Sequence, residues 1–355
     1  MKLKGYVEGF YGRFFDCDFR RDLLLKVFEL GLNSYLYAPK EDKFHRICWK
    51  DDYPTEQTKH FEELFDIAAR KNANFIPAVA PGLSYDAETD YIFLRKKIKY
   101  FQNLGAKSFA LTLDDIPCRQ KLGSEHGELL KVIKNDFPDM QILFCPTVYA
   151  DDLIAENDSD YLFDLCRNIP NGILILWTGE STISKKIDSD SLLLATELFG
   201  KNIVIWDNFY CNDYAPNRIF VGDYQSRDLK FCNDKLSGLL INGTGLNITD
   251  FIILESLNAW FNCKPKAAKS ILQKYGVPDN LLDYLPLMSS PFKQEFPFNA
   301  QLSAQDFFTE IIAKWQSPLK IEWYPALHAI FTQIRIKNAD KPFPKEWFDM
   351  RYINY

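Results

Sequence analysis

The feature that most constrains this chain is a repeated alternation of short apolar, β-rich runs with amphipathic helical segments. The runs read KGYVEGF (4–10), NSYLYAP (33–39), NFIPAVA (74–80), SFALTLD (108–114), QILFCPT (141–147), ILILWTG (173–179), IVIWDN (203–208) and GLLIN (238–242). Their starts lie about 30 to 40 residues apart, the length of one βα unit. Between them FRRDLLLKVFEL, TKHFEELFDIAARK, YIFLRKKIKYFQNLG and GELLKVIKNDF place apolar residues at intervals of three and four, the helical period. Near-continuous apolar strands need cover on both faces, so the pattern predicts a parallel sheet wrapped by helices. Eight such units predict an α/β fold closed into a (β/α)8 TIM-like barrel. No GxGxxG follows the first strand, which argues against a dinucleotide-binding sheet.

Two segments depart from this rhythm. FYCNDYAPNRIFVGDYQSRDLK, after the seventh run, reads as a long loop, and long loops on that face of a barrel are usually functional. After DFIILESLNAWFN (250–262) the strand rhythm stops. KPKAAKSILQKYG, AQDFFTEIIAKW and YPALHAIFTQIRI read as helices, interrupted by a proline-rich stretch from Val277 to Phe298. The expected organisation is a catalytic barrel over residues 1–262 and a helical C-terminal domain over 263–355.

Composition narrows the function. The net charge of −6 is spread along the chain, with no basic stripe for nucleic acid and no polybasic run for a lipid surface. No apolar run is long enough to span a membrane, and MKLKGYVEGFYG turns polar too early for a signal peptide. The eight cysteines are scattered without a CxxC pair, so a cytoplasmic, reducing setting is expected, with export by a signal-less route as the alternative. Aromatic residues make up 15% of the chain, enough to supply ring faces to a sugar cleft as well as bulk to a core.

Reactive groups in a barrel gather at the carboxyl ends of the strands. Here those ends carry Glu8, Gly9, Tyr11, Tyr37, Lys40, Asp114, Asp115, Tyr149, Trp177, Trp206, Asp207, Asn208, Asp213 and Asn242. The four histidines (His45, His60, His126 and His328) lie elsewhere, so neither a metal site nor a Ser-His-Asp triad is expected. ALTLDDI (110–116) is the most informative stretch. Two adjacent carboxyls at the end of an apolar strand would be partly desolvated beside a like charge. Both influences raise a carboxyl pKa and can leave one acid protonated near neutrality. Glycoside hydrolysis uses that asymmetry. Neighbours on a regular strand face opposite ways, so the pair converges only if the chain turns at Asp114. The alternative is that the two aspartates cap the next helix or form a turn.

VEGFYGR (7–13), YLYAPKED (35–42), FALTLDDI (109–116), LFCPTVY (143–149), LWTGEST (176–182), VIWDN (204–208) and the Asn-Asp-Tyr step at 212–214 together resemble family 84 glycoside hydrolases. That family holds the O-GlcNAcases and related bacterial β-N-acetylglucosaminidases. The resemblance is collinear from about residue 4 to 245. It implies a retaining reaction without a protein nucleophile, in which the 2-acetamido oxygen of the substrate attacks the anomeric carbon to give an oxazoline. By position in the motif, Asp114 resembles the residue that orients the acetamido group, and Asp115 the general acid and base. Gly9 and Lys40 match positions on the 3-hydroxyl side of the sugar, and Asp213 matches the carboxylate that grips the 4- and 6-hydroxyls. Asn242 matches an amide beside that carboxylate, Asn208 an amide near the catalytic pair, and Tyr149 and Trp206 the walls of the acetamido pocket. Glu8 matches the motif too, but a buried ion pair or hydrogen bond is the expected role for it. Tyr11 is expected only to pack. Phe14 stands where many relatives have proline. The implied substrate is a GlcNAc-bearing glycoprotein or glycoside, with no cofactor. Two other readings stay open: a silent GlcNAc-binding protein on the same scaffold, and a hexosaminidase acting on free or polymeric amino sugars.

Overall fold

A computed structural model describes residues 1–86, 89–156, 160–264, 266–292 and 303–338. The end of the proline-rich stretch (293–298) and the tail of the C-terminal region (339–355) lie outside the described residues. The chain divides into two compact units, one made of Met1–Asn208 with Ser226–Asn242, the other of Phe209–Gln225 with the described residues from Gly243 onward.

The first unit is a closed barrel of eight parallel strands in sequence order: β1 Leu3–Glu8, β2 Ser34–Tyr37, β3 Asn74–Val79, β4 Ser108–Thr112, β5 Gln141–Cys145, β6 Leu174–Trp177, β7 Ile203–Asp207 and β8 Gly238–Asn242. Closure is made by β1 against β8, with Val7 opposite Asn242. All eight expected strands are present. The apolar runs continue past the last ladder bonds, so several strands stop about two residues before the runs do.

Successive side chains on a strand alternate between faces. Val7, Leu36, Ala38, Ile76, Ala78, Ala110, Leu143, Cys145, Leu174, Leu176, Val204, Trp206 and Leu240 point inward and form one buried cluster. The intervening residues face the helices. Phe109 and Leu111 of β4 and Ile203 and Ile205 of β7 are fully buried there. Burying each such side chain contributes about 1.5–3 kcal/mol.

Helices α1 (Cys17–Glu29), α2 (Thr55–Arg70), α3 (Tyr91–Asn103) and α4 (Leu122–Asp136) follow the first four strands. The Asp16 side chain caps α1 by accepting the Phe19 N–H at 2.7 Å, a bond worth about 1 kcal/mol. The last of the four begins five residues before the GELLKVIKNDF pattern. Gly123 and Gly127 let α4 approach its neighbour Asp160–Asn168. A Cβ on Gly123 would fall 2.1 Å from the Tyr161 carbonyl oxygen, and one on Gly127 would fall 2.4 Å from Asn168 Cβ. Shorter helices Leu153–Glu156, Leu193–Phe199 and Leu229–Lys235 complete the unit.

In the second unit the loop from Phe209 to Gln225 is tied to later residues. Val221 N–H donates to the Met288 carbonyl at 2.7 Å, the Arg218 guanidinium to the carbonyls of Ser290 and Pro291, and Ala268 N–H to Asp223 at 2.8 Å. The long helix Pro318–Asn338 begins before the expected YPALHAIFTQIRI segment and carries Pro325 inside it. Its Glu322 accepts the N–H groups of Ile248 and Thr249 at the start of helix Asn247–Phe261, satisfying donors that a helix N-terminus leaves open. No described helix is long and apolar enough to cross a membrane.

Candidate active site

The inward register of the barrel continues into the loops at the carboxyl ends. Gly9 follows Val7 by two residues, Lys40 follows Ala38, Asp114 follows Ala110 by four, Tyr149 follows Cys145 by four, Asn208 follows Trp206, and Asn242 follows Leu240. Every one of these positions is in phase with the interior. Asp115 is out of phase. It joins the others because its backbone is left-handed, with φ 56°, a conformation in which Asp is among the better tolerated residues. The turn that makes the pair converge therefore lies at Asp115 rather than at Asp114. Neither aspartate caps a helix, since α4 begins at Leu122.

Both carboxyls meet the Lys40 ammonium. Lys40 Nζ bonds Asp114 Oδ2 and lies 3.5 Å from Asp115 Oδ2. The lysine side chain is 4% exposed, that of Asp114 10% and that of Asp115 34%, so the group opens outward from Lys40 to Asp115. Asp114 Oδ1 is buried and has no hydrogen-bond partner among the described residues. Asp115 accepts hydrogen bonds from Tyr11 Oη at 2.5 Å and Tyr149 Oη at 3.2 Å.

These contacts reverse the expected titration of Asp115. Burial pushes its carboxyl up, but the Lys40 charge, the Tyr11 and Tyr149 hydroxyls and the more distant Arg46 outweigh burial and hold it below the usual range. Burial likewise opposes the charge of Lys40, yet Asp114 and then Asp115 keep it more firmly protonated than an ordinary lysine. The like-charge argument failed because it lacked the cation between the two acids.

A second network lines the opposite side of the barrel mouth. Gly9 N–H donates to Asn242 Oδ1 at 3.1 Å, and Asn242 Nδ2 donates to Asn208 Oδ1 at 2.9 Å. The same oxygen accepts the Trp206 indole N–H at 3.1 Å, and Asn208 Nδ2 donates to the Thr182 carbonyl at 2.8 Å. Trp206 is buried in the interior cluster, against which Tyr149 also packs. A Cβ on residue 9 would come within 2.1 Å of the Trp206 ring, so only glycine fits there. Asp213 belongs to the second unit, where its Oδ1 accepts the Tyr214 N–H at 2.8 Å; its role rests on the sequence resemblance alone.

The outward-facing strand-end residues are structural. Glu8 holds Arg20 through two bonds of 2.8 Å and accepts Tyr35 Oη at 2.7 Å, all fully enclosed. Asp207 holds Arg227 in the same bidentate way. Tyr37 donates to Asp42, and the Trp177 indole to Asp151. His45 and His126 are buried, and burial pushes each down to about 3. No cluster of metal-ligating side chains occurs among the described residues.

Sequence reasoning underrated Tyr11 and did not see Arg46. Tyr11 bonds Asp115 directly, and the Arg46 guanidinium lies 5.4 Å from the Tyr11 ring centroid. Tyr11 lies in the VEGFYGR run, but its bond to Asp115 joins residues remote in sequence, and no local pattern marks Arg46.

A β-N-acetylglucosaminidase family model matches residues 4–273. The chain is 31% identical over 274 residues to the Protein O-GlcNAcase of Mus musculus, and equally to that of Rattus norvegicus. Each match covers 73% of this chain and 30% of the relative, so the chain spans under a third of the length of these relatives. The matched span includes the barrel and every strand-end residue described above, and on that ground the chain belongs to the β-N-acetylglucosaminidase family.

Proposed function

We propose that this chain is a retaining exo-β-N-acetylglucosaminidase of the O-GlcNAcase type. It releases terminal β-linked GlcNAc from Ser or Thr of glycoproteins through an oxazoline formed by the substrate itself. The observation that carries the proposal is the convergence of Asp114 and Asp115 on Lys40, with Asp114 Oδ1 buried and unpartnered. A buried acceptor without a donor is costly, about 1–3 kcal/mol, and an acetamido N–H would satisfy it. Asp114 then orients the acetamido group and balances the positive charge that develops as its carbonyl oxygen bonds the anomeric carbon. Asp115 delivers a proton to the departing glycosidic oxygen. In the second half it takes a proton from the water that opens the oxazoline at that carbon. No separate nucleophile is required, which frees the two acids from the spacing that two-carboxylate glycosidases need.

Without substrate, Asp115 is held in its ionised form. A sugar that hydrogen-bonds Lys40 draws the ammonium away from Asp115 and expels water, and both changes push that carboxyl toward the protonated form an acid needs. The Gly9 N–H is engaged by Asn242, so the sugar meets the Gly9 carbonyl beside Lys40 at its 3-hydroxyl. By the resemblance, Asp213 serves the 4- and 6-hydroxyls, and Asn242 matches an amide of the family's pocket. Asn208 braces the site near the catalytic pair, and Tyr149 and Trp206 enclose the acetamido methyl. No cysteine is in a disulfide among the described residues, and the setting proposed is a reducing, cytoplasmic one.

The test is hydrolysis of an aryl β-N-acetylglucosaminide by the unmodified protein and by Asp114→Asn, with the α-anomer and the β-glucoside as controls. Turnover confined to the β-GlcNAc substrate, with retention, and lost in Asp114→Asn is expected. Asp115→Asn should cripple poor leaving groups far more than activated ones. Turnover indifferent to the acetamido group would refute the mechanism, and binding of an oxazoline mimic without turnover would leave a silent GlcNAc-binding protein.

A further inference from the structure

The Tyr11 ring carries two cations, Lys40 and Arg46, each 5.4 Å from its centroid. They differ in what else they meet. The Lys40 ammonium is enclosed and taken up by Asp114 and Asp115. Arg46 is half-buried, and among the described residues its guanidinium makes no hydrogen bond and no ion pair beyond the ring. An arginine left with its donors free costs little only where water, or something that replaces water, can reach it. The ring it rests on is 39% exposed and donates its hydroxyl to Asp115. Next to it Ile47 is 77% exposed, an apolar surface on the same loop.

We propose that Arg46 is a specificity residue for the leaving group, and that it takes an anionic side chain on a glycosylated peptide. The inference rests on the reading of Asp115 as the acid that protonates the leaving oxygen. That oxygen must sit beside Asp115, so the chain attached to it leaves past Tyr11, where Arg46 waits. The electrostatics then run in layers. The inner site holds two carboxyls and one ammonium, which repels an anion, while the lip holds an uncommitted guanidinium, which attracts one. An acidic residue near the glycosylated hydroxyl is thus held at the lip and kept out of the sugar pocket. Guanidinium suits the task because its planar fork pairs bidentately with carboxylate or phosphate.

The experiment uses two synthetic β-O-GlcNAc-serine peptides, identical except that the serine is flanked on both sides by Glu or by Gln. For a partly exposed ion pair, kcat/KM for the Glu peptide should exceed that for the Gln peptide by up to about fivefold at low salt. That ratio should fall toward one in Arg46→Gln, and only part of it should survive in Arg46→Lys, which keeps the charge but not the planar fork. The ratio of the unmodified protein should also shrink as salt shortens the Debye length from about 30 Å at 0.01 M to about 8 Å at 0.15 M. This arm needs no variant. A ratio at or below one in the unmodified protein, one unchanged in Arg46→Gln, or one indifferent to salt would overturn the proposal. Discrimination confined to a GlcNAc–glucuronate disaccharide and absent from the peptides would overturn the peptide assignment. Hydrolysis of the aryl glycoside but of neither peptide would defeat this inference alone, whereas no hydrolysis of any substrate would defeat the glycosidase reading beneath it.

Discussion

Glu8 stands one residue from Gly9 in the VEGFYGR run that carries part of the family resemblance, yet the structure gives it a purely mechanical task. Its two oxygens hold the Arg20 guanidinium at 2.8 Å each, and Tyr35 adds a third bond at 2.7 Å. Among the described residues the Phe15 carbonyl at 2.9 Å is the other hydrogen-bond acceptor of Arg20, the guanidinium also lies over the Phe14 and Tyr37 rings, and both charged side chains are within 2% of full burial. Glu8→Gln replaces one acceptor oxygen by an N–H2 group that faces the guanidinium donors. The buried cation then keeps too few acceptors, and breaking such a pair costs about 3–5 kcal/mol. For a unit of this size each kcal/mol lowers Tm by about 2–4 °C, so a drop of roughly 10 °C is expected. Thermal and urea unfolding followed by circular dichroism measure that loss. Turnover of the aryl glycoside, measured well below the transition, should stay within a few-fold of the unmodified protein. The double variant Glu8→Leu with Arg20→Met should recover most of the stability, because no buried charge is left unmatched. A Glu8→Gln protein that melts normally but loses turnover by orders of magnitude would refute the reasoning and put Glu8 in the chemistry.

Gly9→Ala drives a methyl into the Trp206 ring at 2.1 Å. It should cost about 1–3 kcal/mol by overpacking and reduce turnover more than stability, read by paired melting and kinetic assays. Lys40→Met removes the charge that does most to hold Asp115 ionised, so the Asp115 carboxyl should rise, as a carbon-13 NMR titration would show. The linked stability has a definite sign. A depressed carboxyl stabilises the fold above its unfolded pKa of about 3.9, and that contribution is lost as pH falls through the folded value. Lys40→Met should flatten the stability curve in that acid range. His126 titrates near 3 in the fold against an ordinary value of 6.5, so the unfolded chain binds the extra proton between them. Stability must fall as pH drops from about 6.5 toward 3, and His126→Phe should reduce that slope by up to one proton, read from urea melts across the range.

The strands were readable because a barrel buries both faces of each strand, which leaves an apolar signal that little else in a soluble chain imitates. Their ends were less readable, since the apolar run outlasts the ladder, as at Leu113 beyond Thr112. The first turn of α4 was not read, because Gly123 within it serves a close helix–helix approach that a one-dimensional pattern cannot register. Within the site, Asp114, Lys40 and Asn242 could be located from the collinear motifs. The lowered titration of Asp115 could not be read, because the ammonium that holds it down comes from a residue remote in sequence. Arg46 and the Asp207–Arg227 pair were missed for the same reason. A partner that arrives through folding leaves no mark on the local spacing.

The left-handed backbone at Asp115 carries one further consequence. Because the two acids are consecutive residues, a single peptide unit tethers them, with their Cα atoms about 3.8 Å apart. Thermal breathing of the barrel cannot pull them far from each other, whereas Lys40 lies in the loop after a different strand and can drift from both. The tether also restricts what can stand at position 115. Asparagine accepts φ 56° at little cost, whereas a β-branched residue would strain the turn. Asp is thus among the residues that the backbone conformation at this position tolerates best, independently of the substrate it serves.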